Sequence, residues 1–149
     1  AMNEGRVSGY LGIDPGLPDF EGRTFREGFE LRKTPIEDYI WNGKKFDFAL
    51  LIRSWNHLED IEAAIGSVSR MLKRGGRLVI VEDARHIELM NAKEAPPEEV
   101  AGGAVFEHLR NSTLAVVSDI LSARGYKVES VRDVSADTYC VWVMVAVKK

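Results

Sequence analysis

The spacing of apolar residues predicts four strands in the first part of the chain. Short apolar runs at 10–14 and 29–33 predict the first two strands. Phe46–Ile52 is almost continuously apolar, which is typical of a parallel strand that is covered on both faces. Leu78–Val81 is a second run of this kind. We therefore expect these segments to form a mostly parallel sheet.

Two segments have the spacing of amphipathic helices. The first is marked by apolar residues three and four positions apart: Ile61, Ala64, Ile65, Val68 and Leu72. We expect Gly75 and Gly76 to end this helix. The second lies between a polar cap at 111–113 and Gly125. Its apolar positions are Leu114, Val117, Ile120 and Leu121.

The last part of the chain predicts an antiparallel pair of strands. Residues 126–134 and 138–147 are separated only by a tight turn at 135–137. The last strand is apolar on both faces, which predicts a place inside the sheet. Strands and helices in this order predict one α/β domain over residues 1–149, folded as a three-layer Rossmann-like sandwich that closes with an antiparallel pair.

Composition narrows the class of protein. Apolar residues make up 45% of the 149 residues and charged residues 29%, which is typical of a soluble globular domain. The net charge of −3 argues against a nucleic-acid partner, because phosphate binding needs a basic surface. Cys140 is the only cysteine, so we expect a reducing, cytoplasmic setting. No apolar run predicts a membrane span, and the histidines lack metal-ligand spacing, so neither a membrane nor a metal is expected.

Polar side chains follow the predicted strands, at the edge where open α/β sheets bind ligands. Asp14 ends the first strand, and a carboxylate there can accept hydrogen bonds from both hydroxyls of a ribose. Asp14–Gly16 is also common turn chemistry, so the same carboxylate can instead cap a turn. His57 follows the third strand, and imidazoles titrate near neutrality, as a general base requires.

The order of three segments resembles a known family. Gly12–Pro15 (GIDP) is followed by Phe46–Ile52 (FDFALLI) and then by Leu72–Val81 (LKRGGRLVIV). In this order they resemble the later part of a class I S-adenosylmethionine-dependent methyltransferase of the type 11 or 12 methyltransferase-like kind. The resemblance implies S-adenosylmethionine as the cofactor and methyl transfer to an acceptor substrate that the sequence does not identify.

The resemblance also implies roles for residues after the first two strands. Asp14 would hold the ribose of the cofactor. Ile36 would pack on the adenine ring, and Glu37 or Asp38 would meet the adenine amino group. The alternative for these two acids is a place at the start of a short helix, where they would favour the helix dipole.

The segment after the third strand is where the family brings methyl donor and acceptor together. Arg53 and Ser54 would line the cofactor there, and His57 would be the candidate catalytic residue. Methyl transfer from a sulfonium needs alignment more than proton transfer, so a structural role for His57 is the alternative. Residues after the next strand would touch the acceptor or belong to a solvated loop: Glu82, Asp83 and His86.

The family pattern is incomplete at its start. Family members begin with a strand, a glycine-rich loop and a helix, and nothing before Gly12 matches them. That strand lies between the Ile13 and Phe46 strands of the family sheet, so its loss would leave backbone groups unpaired. We expect one of three arrangements. Upstream residues supply the strand, a partner chain or second copy supplies it, or the Ile13 strand pairs directly with the Phe46 strand.

Three functions are compatible with these features. The leading hypothesis is S-adenosylmethionine-dependent methyl transfer by a domain that is truncated in this chain and works when completed. The first alternative is a non-catalytic methyltransferase-like module for binding or oligomerisation, which a large exposed apolar strip on the 10–14 or 46–52 strand would favour. The second is a nicotinamide-dependent oxidoreductase, but its usual sheet would continue with parallel strands.

Overall fold

A computed structural model describes residues 7–18, 27–84, 112–134 and 140–149, which form two sheets. The first sheet pairs β1 (Tyr10–Ile13) in parallel with β2 (Phe29–Arg32). The second has the order β3-β4-β6-β5, with these bounds: β3 (Phe46–Ile52), β4 (Leu72–Ala84), β5 (Tyr126–Asp133) and β6 (Cys140–Lys148). All six expected strands are present. β6 lies inside its sheet, as its two apolar faces predict, and is antiparallel to β5.

Both expected helices are present, and each begins at a polar cap. In α1 (Ile61–Met71), the Asp60 side chain accepts a hydrogen bond from the backbone N–H of Ala63 at 2.9 Å. In α2 (Leu114–Ala123), Thr113 accepts one from Val116 at 3.3 Å. Such caps satisfy amide groups that have no partner inside the helix.

The glycine pair does not end α1 as we expected. The helix ends at Met71, and Leu72 is already extended, with φ −83° and ψ 142°. Gly75 and Gly76 lie inside β4, where its pairing with β3 is irregular. The expectation was wrong because Leu72 is fully buried and begins the pairing with β3, so the chain leaves the helix before it reaches the glycines.

The core lies between the two helices and one face of the four-stranded sheet. Leu11 and Ile13 of β1 also pack against it. Both described helices cover the same face, so the described residues form two layers of the expected three. The core includes these fully or almost fully buried side chains: Trp55, Ile65, Leu72, Leu78, Ile80, Val117, Leu121, Trp142, Met144 and Ala146.

The opposite face of β3 is open. Phe48, Leu50 and Ile52 are 60%, 57% and 57% exposed, whereas Ala49 and Leu51 pack against the core. We name the three exposed side chains the β3 strip. The expectation that this strand is covered on both faces was wrong, because both described helices pack on the side of Ala49 and Leu51.

The described strands β1 and β3 are not paired with each other. β1 pairs with β2, and β3 pairs with β4, so each is at the edge of its sheet. Direct pairing, the third of our expected arrangements, is therefore wrong. Leu11 and Ile13 hold β1 against the shared core, and a shift toward β3 would disturb that packing. The family sheet has its additional strand between the strands that correspond to β1 and β3, which are unpaired with each other here.

Candidate functional site

The site begins where β1 and β2 end side by side. The Asp14 N–H donates to the Arg32 carbonyl at 3.1 Å, which continues the pairing of the two strands. The Asp14 carboxylate is exposed, and its Oδ1 accepts a hydrogen bond from Gly16 N–H at 2.7 Å. The turn role that the sequence left open is thus realised. A carboxylate has two oxygens, so this bond does not exclude a bond to a ribose.

The segment after β2 is tied to the start of α1. Ile36 is half-buried and packs against the core. The Glu37 Oε1 accepts a hydrogen bond from Glu59 N–H at 3.0 Å, and the Glu37 carbonyl accepts one from Ser67 at 3.4 Å. Glu37 therefore has a structural role, and its contact with adenine stays a prediction. Asp38 is exposed.

The segment after β3 begins with a strained residue. Arg53 has φ 51°, in the left-handed region that residues with a Cβ seldom adopt. Its N–H donates to the Val81 carbonyl at 2.7 Å. The Ser54 hydroxyl donates to the Ile52 carbonyl at 2.9 Å. Backbone strain of this kind is often found at functional sites, where the surrounding structure maintains it.

A short 3-10 helix, Trp55–His57, follows and rests on a buried carboxylate. The Glu82 Oε2 accepts hydrogen bonds from Trp55 N–H at 3.0 Å and Asn56 N–H at 3.4 Å. Because Glu82 is buried and holds this helix, the expectation of a solvated loop at this position was wrong, and its contact with an acceptor stays a prediction. The sequence carried a signal for this, since Glu82 follows Leu78 and Ile80 on the same face of β4.

Two buried polar atoms beside this helix have no hydrogen-bond partner in the described chain. They are the Trp55 Nε1 and the Ser112 Oγ. Ser112 is joined to this helix through its backbone, because the buried Asn56 Oδ1 accepts from Ser112 N–H at 3.4 Å. Buried polar groups are usually satisfied, so these two atoms are exceptions among the described residues.

The structure brings some of the predicted residues together. Asp14 and the segment containing Ile36 leave adjacent strands, and the bond from Glu59 to Glu37 joins that segment to the one after β3. Arg53 follows β3, whereas Asp14 follows β1, and these two strands are not paired with each other. His57 is half-buried beside Asn56.

The remaining expectations concern Asp83, His86, metal ligands and membrane helices. The side chain of Asp83 and the whole of His86 lie outside the described residues. Within the described ranges, no three His, Cys, Asp or Glu side chains cluster as metal ligands. A search of the same ranges finds no helix that is long and apolar enough to cross a membrane.

The clear electrostatic shifts lie at the other end of the four-stranded sheet. Burial raises the pKa of Tyr126, although its hydrogen bond with Ser69 opposes the shift. Burial lowers the pKa of Lys148, with a smaller contribution from Lys45. Tyr126 and Lys148 are paired at the start of β5 and the end of β6, away from Glu82. These two groups therefore concern stability rather than the candidate site.

A comparison with protein families gives a match in the first part of the chain. A family model described as "Methyltransferase domain" matches residues 7–80. Among curated proteins, none matches the chain in sequence.

Solved structures share the fold at low sequence identity. A SAM-dependent methyltransferase of Methanosarcina mazei is 17% identical, with a TM-score of 0.66 over 93% of this chain and 81% of that chain. The glycopeptide N-methyltransferase MtfA, solved with S-adenosyl-L-homocysteine, is 16% identical, with a TM-score of 0.63 over 83% of this chain and 63% of that chain. The (4+2)-cyclase SpnF is 16% identical, with a TM-score of 0.61 over 81% of this chain and 57% of that chain.

The last two coverages show that the chain spans less than two thirds of the length of MtfA and SpnF. The expected α/β methyltransferase fold is confirmed by these similarities. Together, the match of residues 7–80 to a methyltransferase-domain model and the similar solved structures show that this chain has the fold of S-adenosylmethionine-dependent methyltransferases.

Proposed function

We propose that this chain binds S-adenosylmethionine and contributes to methyl transfer to an acceptor. The observation that carries the proposal is the extent of the family match, residues 7–80. This range contains every residue that the sequence assigned to the cofactor: Asp14, Ile36, Glu37, Arg53 and Ser54. They follow three strands, at the edge where open α/β sheets bind ligands. A fold relative, MtfA, was solved with S-adenosyl-L-homocysteine.

The residues divide the work of holding the cofactor. Asp14 would accept the ribose hydroxyls with the oxygen that the turn does not use, and Ile36 would pack on the adenine. Arg53 and Ser54 would line the cofactor on the side of the segment that follows β3. When bound, S-adenosylmethionine supplies an electrophilic methyl group on a sulfonium, so the main task of the chain is alignment. His57 would act as a base where an acceptor must lose a proton.

We also propose that an additional strand completes the site between β1 and β3. Both strands have an edge without a strand partner in the described chain, and unpaired backbone groups are costly when buried. Upstream residues or a partner chain, including a second copy, would supply the strand. Measuring molar mass by light scattering at several protein concentrations distinguishes a self-associating chain from a monomer.

The class of acceptor and the cellular compartment can be proposed only in general terms. In the resembled family, variable segments select the acceptor; the resemblance places them here at 17–28 and 84–103, which lie largely outside the described residues. We propose a small-molecule or macromolecular acceptor without naming it. A cytoplasmic setting is proposed from the single cysteine, Cys140.

Calorimetric titration with S-adenosyl-L-homocysteine tests the proposal. We expect Asp14→Ala to weaken binding by about ten- to a hundredfold, because hydrogen bonds to a charged group contribute about 1.5–3 kcal/mol. Asp14→Asn is the matched control, since its side-chain oxygen can keep the bond to Gly16 N–H while the charge is lost. Affinity should fall in both variants, while the asparagine variant keeps the thermal stability of the parent.

Two outcomes would contradict the proposal. If Asp14→Asn bound like the parent, the carboxylate would serve only the turn. If the folded parent chain did not bind at all, this chain by itself would not be a cofactor-binding domain, and it would be either a fragment that needs the additional strand or the non-catalytic module.

That alternative has one observation in its favour. The exposed β3 strip is the kind of apolar surface that an oligomerisation module presents. The strip is equally expected of a methyltransferase sheet that lacks a neighbouring element, so it does not favour the alternative over methyl transfer. The similarity to SpnF, named a cyclase, illustrates that this fold supports more than one chemistry.

A further inference from the structure

Glu82 occupies a position that the pattern of β4 assigns to an apolar residue. Leu78 and Ile80 precede it on the same face and are fully buried, and Glu82 itself is only 2% exposed. On the neighbouring strand it pairs with Trp142, which is also buried. A buried carboxylate is costly unless hydrogen bonds stabilise it, so its partners indicate its role.

Glu82 accepts hydrogen bonds from two backbone amides of the post-β3 loop, residues 53–57. Its Oε2 accepts from Trp55 N–H at 3.0 Å and from Asn56 N–H at 3.4 Å. These amides open the short 3-10 helix, where backbone donors have no partner within the helix. A charged acceptor strengthens such bonds. Glu82 therefore joins the end of β4 to the loop that follows β3.

The loop needs this support because Arg53 is strained. Its φ of 51° is disfavoured for any residue with a Cβ. The Val81 carbonyl accepts the Arg53 N–H at 2.7 Å, one residue before Glu82. Adjacent residues of β4 thus hold the loop at two places, the amide of Arg53 and the amides that follow Ser54.

We infer that Glu82 is a positioning residue whose carboxylate holds the post-β3 loop in the conformation that Arg53 adopts. The effect on cofactor binding rests on the proposed function, in which Arg53 and Ser54 line the cofactor. The effect on the loop does not depend on that proposal. Asn56 extends the support to α2, because its Oδ1 accepts from Ser112 N–H beside the helix cap.

Two substitutions at Glu82 and one control test this role. Glu82→Leu continues the buried apolar face and removes both carboxylate oxygens. Glu82→Gln keeps one side-chain oxygen and removes the charge. Glu129→Gln is the matched control, because Glu129 is an exposed glutamate on the edge strand β5. Amide hydrogen exchange of Trp55 and Asn56 by NMR reports on the loop, and calorimetry with S-adenosyl-L-homocysteine reports on the site.

In Glu82→Leu, the exchange of both amides should accelerate about tenfold, as expected for the loss of one hydrogen bond. The acceleration should be smaller in Glu82→Gln and absent in Glu129→Gln. Affinity for S-adenosyl-L-homocysteine should fall in the same order, in proteins whose circular dichroism shows that they are folded. If Glu82→Leu does not fold, Glu82→Gln carries the comparison.

Unchanged exchange and unchanged affinity in a folded Glu82 variant would overturn the inference. Faster exchange with unchanged affinity would also overturn the positioning role, since the loop would then not control binding. If the parent chain does not bind the ligand, the proposed function fails, and the exchange data by themselves decide whether Glu82 holds the loop.

Discussion

Replacing Gly76 with alanine should destabilise the protein through a steric clash inside β4. A Cβ at this position would lie 2.9 Å from the Lys73 carbonyl oxygen and 3.2 Å from the Asp47 carbonyl oxygen. Both are backbone atoms, so neither can move without a shift of the chain. Asp47 belongs to β3, and relief of the clash would therefore disturb the pairing of β3 with β4.

The size of the effect follows from these contacts. Adding a methyl group to a tightly packed place costs about 1–3 kcal/mol. In a chain of this length each kcal/mol lowers the midpoint of thermal unfolding by about 2–4 °C. We therefore expect Gly76→Ala to unfold about 2–12 °C below the parent, and at a correspondingly lower urea concentration.

Two other glycines provide matched controls. At Gly75 an added Cβ meets no atom within 4 Å, but φ is 77°, so Gly75→Ala tests backbone strain without a clash. At Gly66, inside α1, the nearest atom is the Arg70 Nη1 at 3.6 Å, an ordinary contact. Gly66→Ala should stabilise the protein by about 0.5–1 kcal/mol, because alanine loses less entropy in a helix.

Urea unfolding followed by circular dichroism measures all three variants. The reasoning is refuted if Gly76→Ala is as stable as the parent, since the two backbone oxygens would then not be as close as described. It is also refuted if Gly66→Ala loses as much stability as Gly76→Ala, because the effect would then not depend on local space.

Two further predictions concern the far end of the sheet and the open face of β3. Burial raises the pKa of Tyr126 above 10.0. The contribution of the neutral Tyr126 phenol to folding stability is therefore fully present below about pH 10 and is lost as the pH rises through the folded-state pKa. Near neutrality, Tyr126→Phe should be less stable than the parent by about 1 kcal/mol, because it loses the 2.9 Å hydrogen bond to Ser69. Between neutral and alkaline pH, the variant should lose less stability than the parent, because phenylalanine does not ionise. Urea unfolding across this pH range checks both expectations. Leu50→Lys should change stability by about 0.5 kcal/mol or less, because Leu50 is 57% exposed, and if copies of the chain associate through the β3 strip it should also reduce that association in sedimentation velocity. Leu51→Lys should unfold the protein, because it places the charge against the core. Equal stability of Leu50→Lys and Leu51→Lys would contradict the described orientation of β3.

Much of the fold could be predicted from the sequence because its signals are local. The two helices repeat apolar residues within one or two turns, and the Thr113 cap bonds an amide only three residues away. The antiparallel pairing of β5 with β6 was predictable because the two apolar runs lie close together in sequence. Asp14 was identified in the same way, both as the end of a strand and as a turn residue.

Tertiary structure alone decided which faces and edges are covered. The run Phe46–Ile52 is apolar throughout, yet the β3 strip is exposed because both described helices pack on the other face. Burial of Leu72 against the core ended α1 before the glycines. The break between β1 and β3 likewise depends on residues far apart in sequence.

The candidate site shows the same division. The sequence by itself indicated the resemblance to methyltransferases and the strand ends that carry Asp14, Glu37 and Arg53, because strand ends are marked by local pattern and chemistry. Only the folded chain decided that Glu37 also binds the Glu59 amide, and that Glu82 is buried beneath the post-β3 loop. Those roles depend on partners more than twenty residues away, and no local pattern specifies such partners.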